Sequence, residues 1–310
     1  MRFELIVLGT SGGAPTSDRN CSGYVLRTEA TDVPSDCGEN TQRQLLRAGL
    51  GMGKVSHVLI SHLHGDHYFG LAPLLSSLAM QGRTAALTIV SPLHLRPRLN
   101  ALLELDTYGL PFPLHFVTLA ADGPTPVARV GDLDVVAFPL RHRIATNGYL
   151  LRERARPANV RKEAIAEYRI PWPQIRDIKA GADLTLADGR TIPHAELTTP
   201  AAPARSLAYC CDTVYFPELA DYVAGVDLLV HDATFRSDMA DDAAKKGHST
   251  ARQAAQTARA AGAGRLILTH FSARYDGGAD HEREAREVFA ATDAARDLCC
   301  YTVPFVGRAD

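Results

Sequence analysis

No apolar run in this chain approaches the roughly 20 residues that a membrane-spanning helix needs. The opening stretch MRFELIVLGTSGG carries an acid at Glu4 and is too short for a secretory leader or a span. A cytoplasmic protein with no membrane partner is expected. Excess charge of one sign is also missing, because 33 Lys and Arg stand against 35 Asp and Glu and leave a net charge of -2. That balance excludes a global basic footprint for nucleic acid, so any RNA contact must be focused and no DNA partner is expected. Cysteine is scarce, at six residues, and none forms a CxxC metal knuckle. The adjacent pairs Cys210-Cys211 and Cys299-Cys300 are poorly placed to bridge each other, so the cysteines read as reduced, mostly buried thiols. There is no long Ser/Gly/Pro linker, internal repeat or low-complexity tract. At 310 residues and 46% hydrophobic content, residues 1–310 read as one domain with a full core.

What is present is a recurrence of short Val/Ile/Leu-rich runs of strand length: FELIVLG, SGYVLR, VSHVLIS, ALTIV, the pair in VARVGDLDVVAFPL, SLAYC, VDLLVHD and GRLILTH. Helical patterns fall at about 68–80, 92–105, 250–261 and 279–291, and Ser249 or Thr250 can cap the third. GDLD reads as a hairpin turn, which makes the sheet mixed. Strands in two series, each followed by helices, predict an α/β architecture with two sheets face to face and helices outside, a four-layer αββα sandwich. Pro34 and Ser35 interrupt one expected strand in ATDVPSDCGEN; proline cannot donate to a central ladder, so that strand is expected to be frayed or an edge.

Residues 152–181 break the pattern. They hold eight Lys/Arg, among them Arg161, Lys162, Arg176 and Lys179, against four acids, a local charge of +4 on a chain of -2. Two readings are open, a solvated helix with ordinary i,i+4 pairs or a protruding arm that grips phosphate. Trp172, between two prolines in that segment, either stacks on a base or packs the hairpin's own small core. Ser11-Gly12-Gly13 has the composition of a phosphate cradle and equally that of an ordinary turn.

The densest signal is SHLHGDHYFGL, Ser61 to Leu71, with three histidines and an aspartate within six residues directly after an apolar run. Imidazole nitrogens need partners when buried, so three rings together call for something between them. His62 and His64 alternate by two as the strand ends, and Asp66 and His67 follow the turn that Gly65 permits. Nitrogen and carboxylate donors suit Zn²⁺ or a similar ion, and four groups split two and two can begin two adjacent sites. His142, Asp212 and His270 each sit where an apolar run stops and complete the set. Asp212 is the natural bridge, since a carboxylate has two oxygens to offer to ions about 3.5 to 4 Å apart. His142 alone would read as a structural histidine; beside the cluster, the ligand reading wins.

His62, His64, Asp66 and His67 match HxHxDH, and the chain resembles the metallo-beta-lactamase fold. More closely it resembles the ribonuclease Z family, the tRNA 3′-processing endonucleases of the short bacterial type. The likeness runs in order through LGTSGGAPTSDRN, DCGENTQRQLL, the histidine loop, HRIATNGY, YCCDT, HDATF, KGHST and LTHFSARY. The resemblance implies two zinc ions, one held by His62, His64, His142 and Asp212 and the other by Asp66, His67, Asp212 and His270. It implies that a hydroxide held there attacks a phosphodiester, with Asp66 as proton acceptor. It implies further that His248 donates a proton to the leaving 3′-oxygen with support from Asp232; by itself, a histidine at a helix start equally makes a local hydrogen bond. Ser272 and Arg274 are implied to hold the phosphate, Arg19 and Asn20 to contact the tRNA end, and the arm to clamp precursor tRNA for the other subunit of a homodimer.

The chemistry suits those groups, because a phosphodiester repels nucleophiles and has a poor leaving group, which call for cations and a general acid. Four departures bear on the substrate. Asp232 stands where Glu is usual, one methylene shorter, so its support of His248 calls for a shifted backbone; PTSDRN lacks a lysine that senses the tRNA terminus; IPWPQI replaces a Gly-Pro tip; and Pro34 sits in a strand. Those departures keep two rivals in view, a same-fold hydrolase of another ester such as a cyclic nucleotide or an arylsulfate, and a catalytically silent RNA-binding homologue. Mn²⁺ and Fe²⁺ accept the same donors as Zn²⁺.

Overall fold

Alternation along the first strand sets the layering. In Phe3–Gly9, Phe3, Leu5 and Val7 turn into one apolar cluster while Ile6 and Leu8 turn into another, as the two-residue repeat of a strand buried on both faces requires. The computed structural model describes residues 2–119, 123–201 and 203–304. Within these, residues 2–119, 123–152 and 205–303 form one compact unit.

That unit holds two seven-stranded mixed sheets. The first runs Cys300–Thr302, Phe3–Gly9, Gly23–Thr28, Asp32–Ser35, His57–Leu59, Leu87–Ser91, Leu114–Thr118. The second runs Thr292–Ala294, Arg265–Thr269, Leu228–Asp232, Ser206–Cys210, Thr146–Glu153, Leu133–Leu140, Thr125–Val130. Residues of both meet in one core, Leu5, Tyr24 and Leu26 with Phe138, Tyr149 and Tyr209. Helix Leu71–Met80 covers the outer face of the first sheet with Leu74, Leu75 and Leu78, and helix Ala251–Ala261 lies over the second with Ala254, Ala255 and Ala258. The result is the αββα sandwich. Thr250 caps the latter helix in a capping box with Gln253. Gly131, at φ 60, turns the hairpin between Thr125–Val130 and Leu133–Leu140.

The strand carrying Pro34 is neither frayed nor an edge. Asp32–Ser35 lies inside the first sheet, with Val25 opposite Pro34 on one side and the strand His57–Leu59 on the other. The hydrogen bond from the Thr28 N–H to the Thr31 carbonyl sets the parity of the ladder, so Val25 and Pro34 form a non-hydrogen-bonded pair. The missing N–H therefore faces the strand His57–Leu59, where only Ser35 and Leu59 pair. Proline is tolerated because that ladder is nearly absent.

A second compact unit covers Glu153–Ala204. Ala164, Ile170, Ile178, Leu184, Ile192 and Leu197 form its core, and the strand Asn159–Val160 pairs with Thr198–Thr199. Half of those core residues lie beyond residue 181, so the folded unit is longer than the basic segment read from the sequence. Asp183, Asp188 and Glu196 in the added length offset most of the basic excess and leave 153–204 at +1. Trp172 does not pack this core. It is 83% exposed, and aliphatic residues fill the interior instead. Among the described residues, no helix is long and apolar enough to cross a membrane. Cys21, Cys37, Cys210 and Cys211 are buried free thiols.

Candidate active site and metal centre

The cluster is built where strands stop. His62 and His64 follow His57–Leu59, His142 follows Leu133–Leu140, Asp212 follows Ser206–Cys210, Asp232 ends Leu228–Asp232 and His270 follows Arg265–Thr269. Strand ends gather polar side chains that the core between the sheets cannot accept.

Asp212 divides the cluster in two. Its Oδ2 lies 3.6 Å from His62 Nε2 and 3.8 Å from His142 Nε2, and its Oδ1 lies 3.3 Å from His67 Nε2 and 3.2 Å from His270 Nε2. His64 turns its Nδ1 to the first group, 3.0 Å from His62 Nε2 and 3.2 Å from His142 Nε2. Asp66 joins the second through Oδ2, 3.3 Å from His67 Nε2 and 3.4 Å from His270 Nε2. The donor atoms of His62, His64, His142 and Asp212 lie within 4.8 Å of one another, as do those of Asp66, His67 and His270. Both Asp212 Oδ1 and His67 Nε2 are buried without a hydrogen-bond partner. Buried polar atoms rarely stay unpaired, and a divalent cation with nitrogen and oxygen donors satisfies both.

Outer contacts fix which nitrogen faces inward. Ser61 Oγ donates to Asp36 Oδ2 at 2.8 Å and so accepts from His62 Nδ1 at 3.0 Å. His67 Nδ1 donates to Asp36 Oδ2 at 2.7 Å, and His142 Nδ1 donates to the Gly247 carbonyl at 2.6 Å. The Thr234 hydroxyl donates to Asp232 Oδ1 and accepts from His270 Nδ1 at 2.9 Å. In each case Nε2 is left with its lone pair toward the cluster, the arrangement that orients metal-binding imidazoles. Sequence reasoning passed over Asp36, although it lies in the quoted DCG stretch. Fully buried, it also accepts from the Ser61 N–H at 2.8 Å and the Tyr209 hydroxyl at 2.6 Å. An aspartate directly after a buried strand was the available signal. Asp36→Ala is expected to weaken Zn²⁺ affinity about 10- to 100-fold in a chelator competition, the size of effect usual for such orienting groups.

Charge agrees with a cation at the centre. Burial holds His62, His64 and His142 below the usual histidine value, keeping the rings neutral with one nitrogen free to bind a cation. Burial pushes His67 down as well, but Asp212, Asp66 and Asp36 outweigh it and favour a positive charge on the ring, which a cation bound at Nε2 would supply in place of a second proton. Asp66 and Asp212 are pushed up by burial, yet neighbouring histidines outweigh this and keep both ionised. Such a carboxylate surplus calls for positive charge.

His248 stands beside the cluster. Its Nδ1 meets Asp232 Oδ2 at 3.0 Å, so the shorter acid makes the contact directly. Burial disfavours its charged form, but Asp232 outweighs burial and raises the ring to about 9. Asp232 is itself fixed by the N–H groups of Thr213 and Thr234 at 3.1 and 2.8 Å.

An open cavity of about 470 Å³ gives access, lined by His64, Asp66, Asp212, His248 and His270 together with Ser272 and Arg274. Arg143 and Lys246 line it too, two cations missed because each sits inside a stretch read for its histidine. Arg19 and Asn20 are placed elsewhere. Arg19 donates to the carbonyls of Phe271, Ser272 and Tyr275 at 3.5, 3.3 and 2.8 Å, fastening the segment that carries Ser272 and Arg274, and the Asn20 N–H binds Asp297 Oδ2 at 2.7 Å. The Gly13 N–H donates to Asp66 Oδ2 at 2.9 Å, so the glycine pair braces a candidate ligand. A Cβ on Gly12 would lie 2.7 Å from the His270 carbonyl, which explains the glycine there. In the second unit, Arg161 donates to the Glu196 carbonyl, Lys162 and Arg176 are exposed, and Lys179 is half-buried.

Two packed mixed sheets with a histidine and aspartate cluster at their strand ends define a protein of the metallo-beta-lactamase fold. A profile described as "Beta-lactamase superfamily domain" matches residues 197–271, and one described as "Anti-Pycsar protein Apyc1" matches residues 3–104. Ribonuclease Z of Bacteroides thetaiotaomicron is 38% identical over 97% of this chain and 96% of its own length. Ribonuclease BN of Escherichia coli is 39% identical over 97% of this chain and 100% of its own. Among solved structures, human tRNase Z, short form, superposes with a TM-score of 0.70 at 26% identity, covering 97% of this chain and 100% of that one. The chain belongs to the ribonuclease Z family.

Proposed function

We propose that this protein is a metal-dependent endoribonuclease that removes 3′ trailers from tRNA precursors and leaves a 3′-OH on the tRNA. The observation that carries the reading is the His248–Asp232 pair set against a cluster split by the two oxygens of Asp212, in a chain that matches ribonuclease Z relatives over almost its whole length. We assign His62, His64, His142 and Asp212 to one Zn²⁺, and Asp66, His67, Asp212 and His270 to a second. Bound there, two such cations offset the charge that repels a nucleophile from a phosphodiester and make a water easier to deprotonate.

The protein's own groups supply the rest. Asp66 makes its contacts through Oδ2, and we assign its Oδ1 to take the proton from the attacking water. His248 has Nδ1 committed to Asp232, so its Nε2 gives a proton to the leaving 3′-oxygen. Ser272 and Arg274 hold the phosphate in the cavity, and Arg19 fastens their segment. Arg161, Lys162, Arg176 and Lys179 belong to the tRNA-gripping unit. In the proposed homodimer, that unit serves the partner's active site. The cytoplasm fits the buried free thiols.

His248→Ala is expected to lower kcat on precursor tRNA by about 10²- to 10⁴-fold with metal content unchanged. His248 must be protonated to act, and its raised pKa keeps it so above pH 6.5, so the alkaline fall in wild-type cleavage lies above that value. That limb vanishes in the variant. The function itself is tested by incubating the purified protein with one precursor tRNA, with and without an encoded CCA, and mapping the cut. A single cut at the 3′ boundary supports the reading; turnover of cyclic nucleotides or arylsulfates with intact precursor would replace it.

A further inference from the structure

Trp172 is a side chain that this mechanism leaves unused. It is the chain's only tryptophan, and it stands exposed at the start of the helix Trp172–Lys179. An indole in water forgoes a large apolar contribution, so its exposure calls for a partner of matching chemistry. Positions 172, 176 and 179 follow helical i, i+4, i+7 spacing and place Trp172, Arg176 and Lys179 on one face, while Ile178 turns into the unit's core. With Pro157, Ile175 and Ala180, these three residues line an open groove of about 500 Å³. A flat aromatic wall with two cations spread over about 10 Å of helix fits an occupant that offers a planar π face and negative charge one or two turns away. A nucleotide has both. A second copy of the same face does not, because a two-fold contact would set Arg176 and Lys179 against themselves.

We infer that Trp172 stacks on an unpaired base of the RNA, with Arg176 and Lys179 on the neighbouring phosphates. The platform thus selects RNA that presents accessible base faces over plain duplex. This rests on the reading of RNA as substrate and adds a specificity residue to it. Stacking tolerates any base, since each has a π face, and it fixes the position of a strand that charge alone lets slide.

A single tryptophan makes the test direct, because emission of the metal-loaded protein excited beyond the absorption band of its tyrosines comes from this residue alone. Titration with a tRNA transcript is expected to quench it, and a fully paired RNA duplex with the same number of phosphates is expected to leave it unchanged. Trp172→Ala should raise KM for precursor tRNA about tenfold, with kcat and hydrolysis of bis-p-nitrophenyl phosphate unchanged, and Trp172→Phe should recover most of the loss. Unaltered emission while labelled tRNA is bound, or an unaltered KM in the alanine variant, overturns the inference. Emission that changes with protein concentration in the absence of RNA assigns Trp172 to self-association and overturns it as well. Precursor cleavage with Trp172 silent defeats this inference alone; a wild-type protein that neither binds nor cuts tRNA defeats the functional reading with it.

Discussion

Asp212→Ala is expected to remove nearly all bound metal and to abolish both precursor tRNA cleavage and hydrolysis of small phosphodiesters. Each carboxylate oxygen faces a different set of histidines, so one substitution leaves both sets a donor short. The loss in kcat should be at least about 10⁴-fold, on the order of 5 kcal/mol of transition-state stabilisation. Folding supplies a second readout. A ligand that binds only the native state stabilises it by mass action, so a chelator should lower the Tm of the wild type and leave that of the variant unchanged. A variant that retained full metal and full activity would show that Asp212 is no ligand.

Replacing Ala204 and everything back to Arg154 by an Asn-Gly turn should separate RNA recognition from chemistry. Arg152 pairs with Ser206 in the second sheet, so the chain leaves and re-enters at opposed positions that a two-residue hairpin can join. Deletion of the basic segment alone would be a poorer design, because Leu184, Ile192 and Leu197 would lose their core partners. Cleavage of precursor tRNA is expected to fall at least about 10²-fold in kcat/KM, with hydrolysis of bis-p-nitrophenyl phosphate kept within about twofold. On a chain of net charge -2, most of the attraction for phosphate must come from such local cations. Equal loss of both activities would show that the unit supports the active site and not the RNA.

The histidine loop was legible because a short-range pattern follows directly from strand alternation and a glycine turn, and His142, Asp212 and His270 were legible because each ends an apolar run. The contacts of Arg19 and Asp36 were not. Arg19 reaches carbonyls some 250 residues away, and Asp36 gathers partners from Ser61, His67 and Tyr209, links that no local pattern encodes. Pro34 misled for a related reason, since the rule against proline in a central strand presumes a continuous ladder on both sides. Strands Leu114–Thr118, Thr292–Ala294 and Cys300–Thr302 went unread because each is short or only weakly apolar, and pairing with a neighbour, not its own composition, makes it a strand. The extent of the second unit was hidden in the same way, its later half being tied to the earlier by the pairing of Asn159–Val160 with Thr198–Thr199.

The central claim is that seven side chains converge to hold divalent cations. Elemental analysis of freshly purified protein, before and after chelation and reconstitution, tests it most directly. About two transition-metal ions per chain, lost to the chelator together with activity and regained with added Zn²⁺, is the predicted result. A protein without stoichiometric metal that gains none on reconstitution, yet cuts RNA, would contradict it.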